Sequence, residues 1–211
     1  MGVHLLQKTQ DYTLGIWKMD EDEAKLLKLS GMVESPGLVS PVRRQEYMAV
    51  RAMASTMGVK PEAIAYLPSG KPYLTDNTLS ISISHTKKYV AVLLSSHILA
   101  GVDIEHRSDR IHKIRHKFMH SNEENSLKQL SNPISETVGL LIHWCAKESL
   151  FKAVPEDGVD FKQELRISDL ATLESSGRFN GVFLRTGKSF IIDYLIQADF
   201  VLTCSFSAES R

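Results

Sequence analysis

The sequence predicts an α+β protein made of two similar halves. Two observations carry this. A helix followed by a run of strands occurs twice along the chain, and the first strand run alternates apolar and polar residues as half-buried strands do. The boundary is placed in the polar segment after Glu105, giving halves at residues 1–105 and 106–211. The length suits one large domain or two small ones. Identity between the halves is too faint to be called a repeat.

Leu14 to Lys18 reads as a first strand. Ser40-Pro41 marks a helix start, because serine caps free N–H groups and proline suits the first helical position. The helix is expected from Pro41 to about Met57, with Gly58 ending it. Tyr47, Val50 and Ala54 form its apolar stripe, and Arg44 and Arg51 lie on another face. Gly70-Lys71-Pro72 reads as a turn. Leu79 to Ser84 is a half-buried strand, His85 to Lys88 a turn, and Tyr89 to Leu94 an apolar return strand. Gly101 to Glu105 is the next strand. A long helix follows around Glu136 to Ala153, then strands near Leu165–Ile167, Gly181–Arg185, Phe190–Ile196 and Phe200–Phe206.

Composition excludes several classes. Formal net charge is zero, so nothing global suggests nucleic acid or a membrane. The two cysteines, Cys145 and Cys204, are far apart and lack CxxC spacing, which argues against a disulfide framework or a structural zinc site. No basic segment followed by a long apolar run opens the chain, and no apolar run is long enough to span a bilayer. The expectation is a soluble, cytoplasmic protein in a reducing compartment.

Two short motifs carry chemistry. In Gly101-Val102-Asp103-Ile104-Glu105, the carboxylates stand two apart on a strand and share a face. In Trp144-Cys145-Ala146-Lys147-Glu148-Ser149-Leu150-Phe151-Lys152, Trp144, Glu148 and Lys152 fall four apart on one helical stripe. Facing each other, these would bring three carboxylates together with a lysine one turn away. Oxygen ligands beside a cationic clamp suit Mg²⁺ with a phosphate substrate. Each piece alone has a plainer meaning. Asp-x-Glu at a strand end is usually a solvated edge, and a Glu–Lys pair four apart is ordinary helix decoration. His112, His116 and His120 lie four apart, but without carboxylates or cysteines beside them they make a weak metal stripe.

In combination, the chain resembles the 4′-phosphopantetheinyl transferases of the long, pseudodimeric Sfp type. Four motifs carry the resemblance, in order: Gly70-Lys71-Pro72-Tyr73-Leu74, Ser82-Ile83-Ser84-His85-Thr86, Gly101 to Glu105, and Trp144 to Lys152. The Arg-rich helix from Arg43 to Arg51 supports them. The resemblance implies a pseudo-duplicated monomer with its active site between the halves. The implied reaction moves the phosphopantetheine arm of coenzyme A to a serine of an apo acyl or peptidyl carrier protein, releasing 3′,5′-ADP. It assigns Mg²⁺ to Asp103, Glu105 and Glu148. It gives Lys152 the pyrophosphate and leaving group, and makes Glu148 the base for the serine hydroxyl. It also places Ser84, His85 and Lys147 at the coenzyme A phosphates, and Lys71, Arg51 and Arg44 (or Arg43, one residue earlier) toward its 3′-phosphate end. The carrier is left open among fatty-acid, polyketide and peptide-synthetase types. The basic stretch Arg107, Arg110, Lys113, Arg115 and Lys117, with Phe118 and Met119 at its end, is expected to dock an acidic carrier helix rather than nucleic acid. Two other readings of the residues are another Mg²⁺-dependent phosphotransferase or nuclease, and a non-catalytic module binding coenzyme A or a carrier.

Overall fold

The computed structural model describes residues 2–34, 37–130, 135–168 and 172–208. The chain forms two compact units that divide between Ser96 and His97. The sequence reading put that boundary after Glu105. The strand carrying Asp103 and Glu105 belongs instead to the second unit, because it pairs along its whole length with the last strand of the chain.

The first unit contains β1 (Val3–Lys8), β2 (Tyr12–Lys18), α1 (Glu23–Ser30), α2 (Pro41–Thr56), a 3₁₀ turn at Pro61–Ala63, β3 (Ile64–Tyr66), β4 (Pro72–Leu74), β5 (Ser80–Thr86) and β6 (Tyr89–Ser95). Its antiparallel sheet has the order β1-β2-β6-β5. Helix α2 packs across β2 and β6, burying Met48 and Met53 with Trp17, Val90 and Val92. The signals expected for α2 are present. Ser40 accepts from the Arg43 N–H, Pro41 opens the first turn, and Gly58 follows the helix at φ 86°. Strands β3 and β4 form a small hairpin around Gly70, whose φ of 85° suits a residue without a side chain.

The second unit contains β7 (Ala100–His106), α3 (Ile111–Phe118), α4 (Ser121–Lys128), α5 (Glu136–Ala153), β8 (Leu165–Ser168), β9 (Ser176–Phe183), β10 (Lys188–Ile196) and β11 (Phe200–Ser207). Its antiparallel sheet has the order β7-β11-β10-β9-β8. Helix α5 lies on β7 and β11 and is buried on almost every side. Its partly open positions are few, and Trp144, Glu148, Phe151 and Lys152 are among them. A helix this apolar cannot stand at a surface, so the polar residues it does expose are confined to one stripe.

One contact sets the height of α5 over the sheet. A Cβ built on Gly101 would stand 2.0 Å from the Ser149 carbonyl oxygen and 2.9 Å from the Ala153 nitrogen. The helix backbone therefore passes directly over β7, and only glycine fits beneath it. Around this point the interface is lined with small polar groups that satisfy one another. Ser149 Oγ lies 2.6 Å from Ser205 Oγ and accepts from Thr203 Oγ1 at 3.0 Å. Cys145 Sγ donates to the Asp103 carbonyl at 3.1 Å.

Replacing Gly101 by alanine is expected to destabilise the second unit by about 2–3 kcal/mol or more, since backbone must move to admit the methyl group. Urea unfolding measures this. A Gly101→Ala protein within about 0.5 kcal/mol of wild type would contradict the close approach.

Candidate functional site

Asp103 lies near the middle of β7 and Glu105 two residues on, so both leave the strand on one face. That face meets the open stripe of α5. Lys152 Nζ donates to Asp103 Oδ1 at 2.7 Å and to the Val102 carbonyl at 3.2 Å. Trp144 Nε1 donates to Glu105 Oε1 at 2.9 Å. Glu148 stands between Trp144 and Lys152 on the same stripe. The four residues that the two motifs single out, Asp103, Glu105, Glu148 and Lys152, are therefore gathered where β7 and α5 meet.

The electrostatics match that crowding. Burial, reinforced first by the Asp103 carboxylate and then by Glu105, pushes the Glu148 carboxyl up to about 7, against the pull of Lys152. Burial and Asp103 likewise raise Glu105, while the Trp144 N–H and Lys152 lower it. One buried carboxylate, Asp103, and two half-buried ones, Glu105 and Glu148, repel one another and form an all-oxygen donor set, which is what a hard divalent cation takes. Among the described residues, no three or more His, Cys, Asp or Glu side chains are placed so that they could hold a metal ion as they stand. The cluster suits a cation by donor chemistry and charge alone, not by closed geometry, with the Lys152 ammonium beside it.

Lys147 does not join this group, although it was expected at the coenzyme A phosphates. It is 0 % exposed, and all three N–H groups of its ammonium are spent inside the unit. They go to the Phe118 carbonyl at 2.6 Å, Glu123 Oε2 at 2.7 Å and the Phe161 carbonyl at 3.0 Å. Burial pulls its pKa down to about 8, with the Glu123 carboxylate resisting. Residue 147 is one step from the open stripe, and one step turns a helical side chain by about 100°.

In the first unit, two adjacent arginines have different partners. Arg43 Nη1 lies 3.0 Å from His85 Nε2 and 3.0 Å from Glu46 Oε2, and Glu46 Oε1 lies 3.2 Å from His85 Nδ1. Arg44 instead forks onto Glu23 of α1 at 2.9 and 3.2 Å and donates to the carbonyls of Leu38 and Val39. Arg44 thus holds the chain segment before α2 against α1, and Arg43 is the partner of His85. Arg51, also expected near phosphate, is 4 % exposed, with its guanidinium 3.3 Å above the Tyr47 ring. Its Nη1 also donates to the Tyr47 carbonyl at 3.4 Å. Lys71 is exposed on the β3–β4 hairpin, and Ser84 is buried in β5 one residue before His85.

The basic stretch after β7 becomes α3. Its exposed face carries His112, Lys113, His116 and Lys117, with Arg110 just before it. Arg115 leaves this set, because it is bound to Glu124 and, at 2.6 Å, to Glu136. Phe118 and Met119 leave it too: both are buried in the core. The three spaced histidines do not converge on a metal. His112 Nε2 meets the Thr137 hydroxyl at 3.0 Å, and His120 caps α4. Sequence reasoning missed Glu123 and Glu46. Glu123 had a faint signal, as the third helical residue of a capping box, but the cap is an unusual histidine.

A family model described as the 4′-phosphopantetheinyl transferase superfamily matches residues 100–205, half of the chain. The match begins at β7 and contains Asp103, Glu105, Glu148 and Lys152. No curated protein matches the chain.

The raised Glu148 carboxyl has a consequence for stability. Its folded pKa exceeds its ordinary value of 4.5, so the folded state binds the proton more tightly than the unfolded state does. Its contribution is fully favourable below about pH 4.5 and is lost as pH rises to about 7. Without divalent cation, Glu148→Gln is expected to be more stable than wild type at pH 8 by about 1–3 kcal/mol, with the gain vanishing near pH 4. Thermal melting across pH measures it. Equal pH dependence in both proteins would contradict the crowding of the three carboxylates.

Proposed function

The chain belongs to the 4′-phosphopantetheinyl transferase superfamily, and we propose that it moves phosphopantetheine from coenzyme A to a serine of an apo acyl or peptidyl carrier protein, with Mg²⁺ as cofactor and 3′,5′-ADP as product. The observation that carries this reading is the convergence of Asp103, Glu105, Glu148 and Lys152 inside the family-matched segment. The likeness to the long, pseudodimeric type is part of the proposal, as are a monomeric, cytoplasmic protein and the pseudo-duplication of its halves. No helix among the described residues is long and apolar enough to cross a membrane.

Asp103, Glu105 and Glu148 would hold the divalent cation. When bound, Mg²⁺ supplies charge that polarises the pyrophosphate and offsets the negative charge of the leaving nucleotide. The protein's own groups do the rest. Glu148, directly or through water, takes the proton of the acceptor serine hydroxyl. The serine oxygen forms a bond to the phosphorus that carries the pantetheine arm, and the bond from that phosphorus to the bridging oxygen breaks. Lys152, already at the rim of the cluster, contacts the pyrophosphate and donates a proton to the departing 3′,5′-ADP. In the first unit, Arg43 with His85, Ser84, and Lys71 on its hairpin are the candidates for the coenzyme A phosphates. We give that role to Arg43 ahead of Arg44, Arg51 and Lys147, whose side chains are engaged with Glu23, Tyr47 and Glu123.

The partner reading rests on α3. Its exposed face is all basic or histidine, in a chain with no net charge. A carrier presenting an acidic helix beside its serine fits that face. Electrostatic docking is screened over about 8 Å at physiological ionic strength. Salt should therefore raise KM for the carrier much more than KM for coenzyme A. Arg110→Glu/Lys113→Glu should do the same and blunt the salt effect; an unchanged carrier KM would place docking elsewhere.

Intact-mass spectrometry of a panel of apo carriers, incubated with this protein, coenzyme A and Mg²⁺, tests the reaction. At least one carrier should gain the mass of phosphopantetheine, and EDTA should abolish the gain. Asp103→Ala and Glu148→Ala should lose activity by at least about 100-fold while remaining folded. Lys152→Ala should lower kcat more than it raises KM, because its charge matters most as the leaving group forms. No modified carrier would favour a binding module that keeps the fold, and EDTA-resistant transfer would sink the metal assignment.

A further inference from the structure

The most heavily buried charge in the second unit has no part in the mechanism above. Lys147 and Glu123 form an ion pair at 2.7 Å, with their side chains 0 % and 1 % exposed. Such a pair does little for stability, since removing two charges from water is costly and apolar residues of similar size often do as well or better. What the pair does accomplish is connection. Lys147 is on α5, and it donates to the carbonyl of the last residue of α3, to α4 through Glu123, and to the carbonyl of Phe161 in the loop before β8. Glu123 in turn accepts from the backbone N–H groups of His120 and Ile167, which ties in the start of α4 and β8.

Two of those connections bear on the stripe that holds Glu148. The Phe161 ring packs on both Trp144 and Phe151, with centroids 5.5 and 5.3 Å away, so it bridges the stripe on either side of Glu148. Trp144 is the residue that holds Glu105 by its indole N–H. Lys147 is also the chain neighbour of Glu148. Any roll of α5 that freed Lys147 would swing Glu148 and Trp144 by the same angle, away from β7.

We propose that the Lys147–Glu123 pair is a positioning device: it fixes the rotation of α5 and the Phe161 loop so that the Glu148 and Glu105 carboxylates are preset for the divalent cation and the acceptor hydroxyl. The inference rests on the transferase reading for its kinetic part and on the carboxylate cluster alone for its metal part. Both side chains are buried, so neither is assigned a contact with substrate. Their effect passes through Glu148 and through Trp144.

The test uses the full chain with Lys147→Met and Glu123→Gln combined. This removes both charges and keeps side-chain volume; the single amide oxygen can keep the bond from either Ile167 or His120, which reach different oxygens of Glu123, but not both. Three readouts are compared with wild type: melting temperature, Mn²⁺ affinity by calorimetry with Mn²⁺ alone, and kcat and KM for transfer. The double variant is expected to melt near wild type yet bind Mn²⁺ about 10–100-fold more weakly, the usual loss when a group supporting metal ligands is removed. Its kcat should fall by a similar factor, with KM for coenzyme A within about threefold. A folded double variant with wild-type Mn²⁺ affinity and wild-type kcat would overturn the proposal. Should it not fold, Glu123→Gln alone decides: a folded protein with weakened Mn²⁺ binding supports positioning, and wild-type affinity overturns it. Should wild type modify no carrier, the transferase reading falls, and the Mn²⁺ comparison still decides the role of the pair.

Discussion

Everything chemical in the second unit depends on the helix backbone of α5 lying directly on β7 at Gly101. No Cβ separates them. The carboxylates of Asp103 and Glu105 leave the strand just beyond that point, and Glu148 and Lys152 leave the helix on either side of it. Had the helix stood one side-chain layer higher, Lys152 could not reach Asp103 at 2.7 Å. The closeness is tolerated because the buried groups around it are small and paired, with Ser149, Thr203 and Ser205 bonded to one another. It has a cost as well. Carboxylates held this near one another and partly out of water resist ionising, which is seen in the raised Glu148 and Glu105. Polar groups placed against their own stability usually mark function.

Two lysines five residues apart on α5 show how sequence and structure divide the information. Lys152 lies on the 144/148/152 stripe, and helical spacing alone predicts that it shares a face with Glu148. The structure agrees. Lys147 is off that stripe, and only the likeness to known transferases placed it near phosphate. Helix geometry turns it inward, where it needs a buried acid. No spacing rule connects residue 147 to residue 123, because the partner comes from a separate helix. The same limit applies to Arg43 and Arg44. Neighbours in sequence, they point to different elements, and only the positions of Glu23 and His85 decide which does what.

The elements legible in the sequence were those with strong periodicity or caps. α2 begins at the serine cap that announces it, α5 runs over the Glu136–Ala153 span expected of it, and β6, β10 and β11 are apolar runs of the right length. Weakly patterned elements were missed. β1 is an edge strand with only Val3 and Leu5 half-buried, so its alternation is faint. α3 and α4 are eight residues each and mostly polar, and their helical form comes from packing and pairing against neighbours rather than from a long apolar stripe. The polar start of β9 is drawn into the sheet by β10, where Arg178 stands opposite Asp193. The unit boundary was misplaced for a related reason. Strand pairing between β7 and β11 spans almost the entire second unit in sequence, and local patterns do not reveal it.

The most direct measurement is anomalous diffraction from crystals grown with Mn²⁺ and coenzyme A. A single strong manganese peak bounded by the carboxylates of Asp103, Glu105 and Glu148, with the coenzyme A pyrophosphate completing its oxygen shell and Lys152 beside that pyrophosphate, is expected. Manganese bound elsewhere, or coenzyme A bound with those three carboxylates turned away from it, would contradict the assignment of this cluster as the catalytic centre.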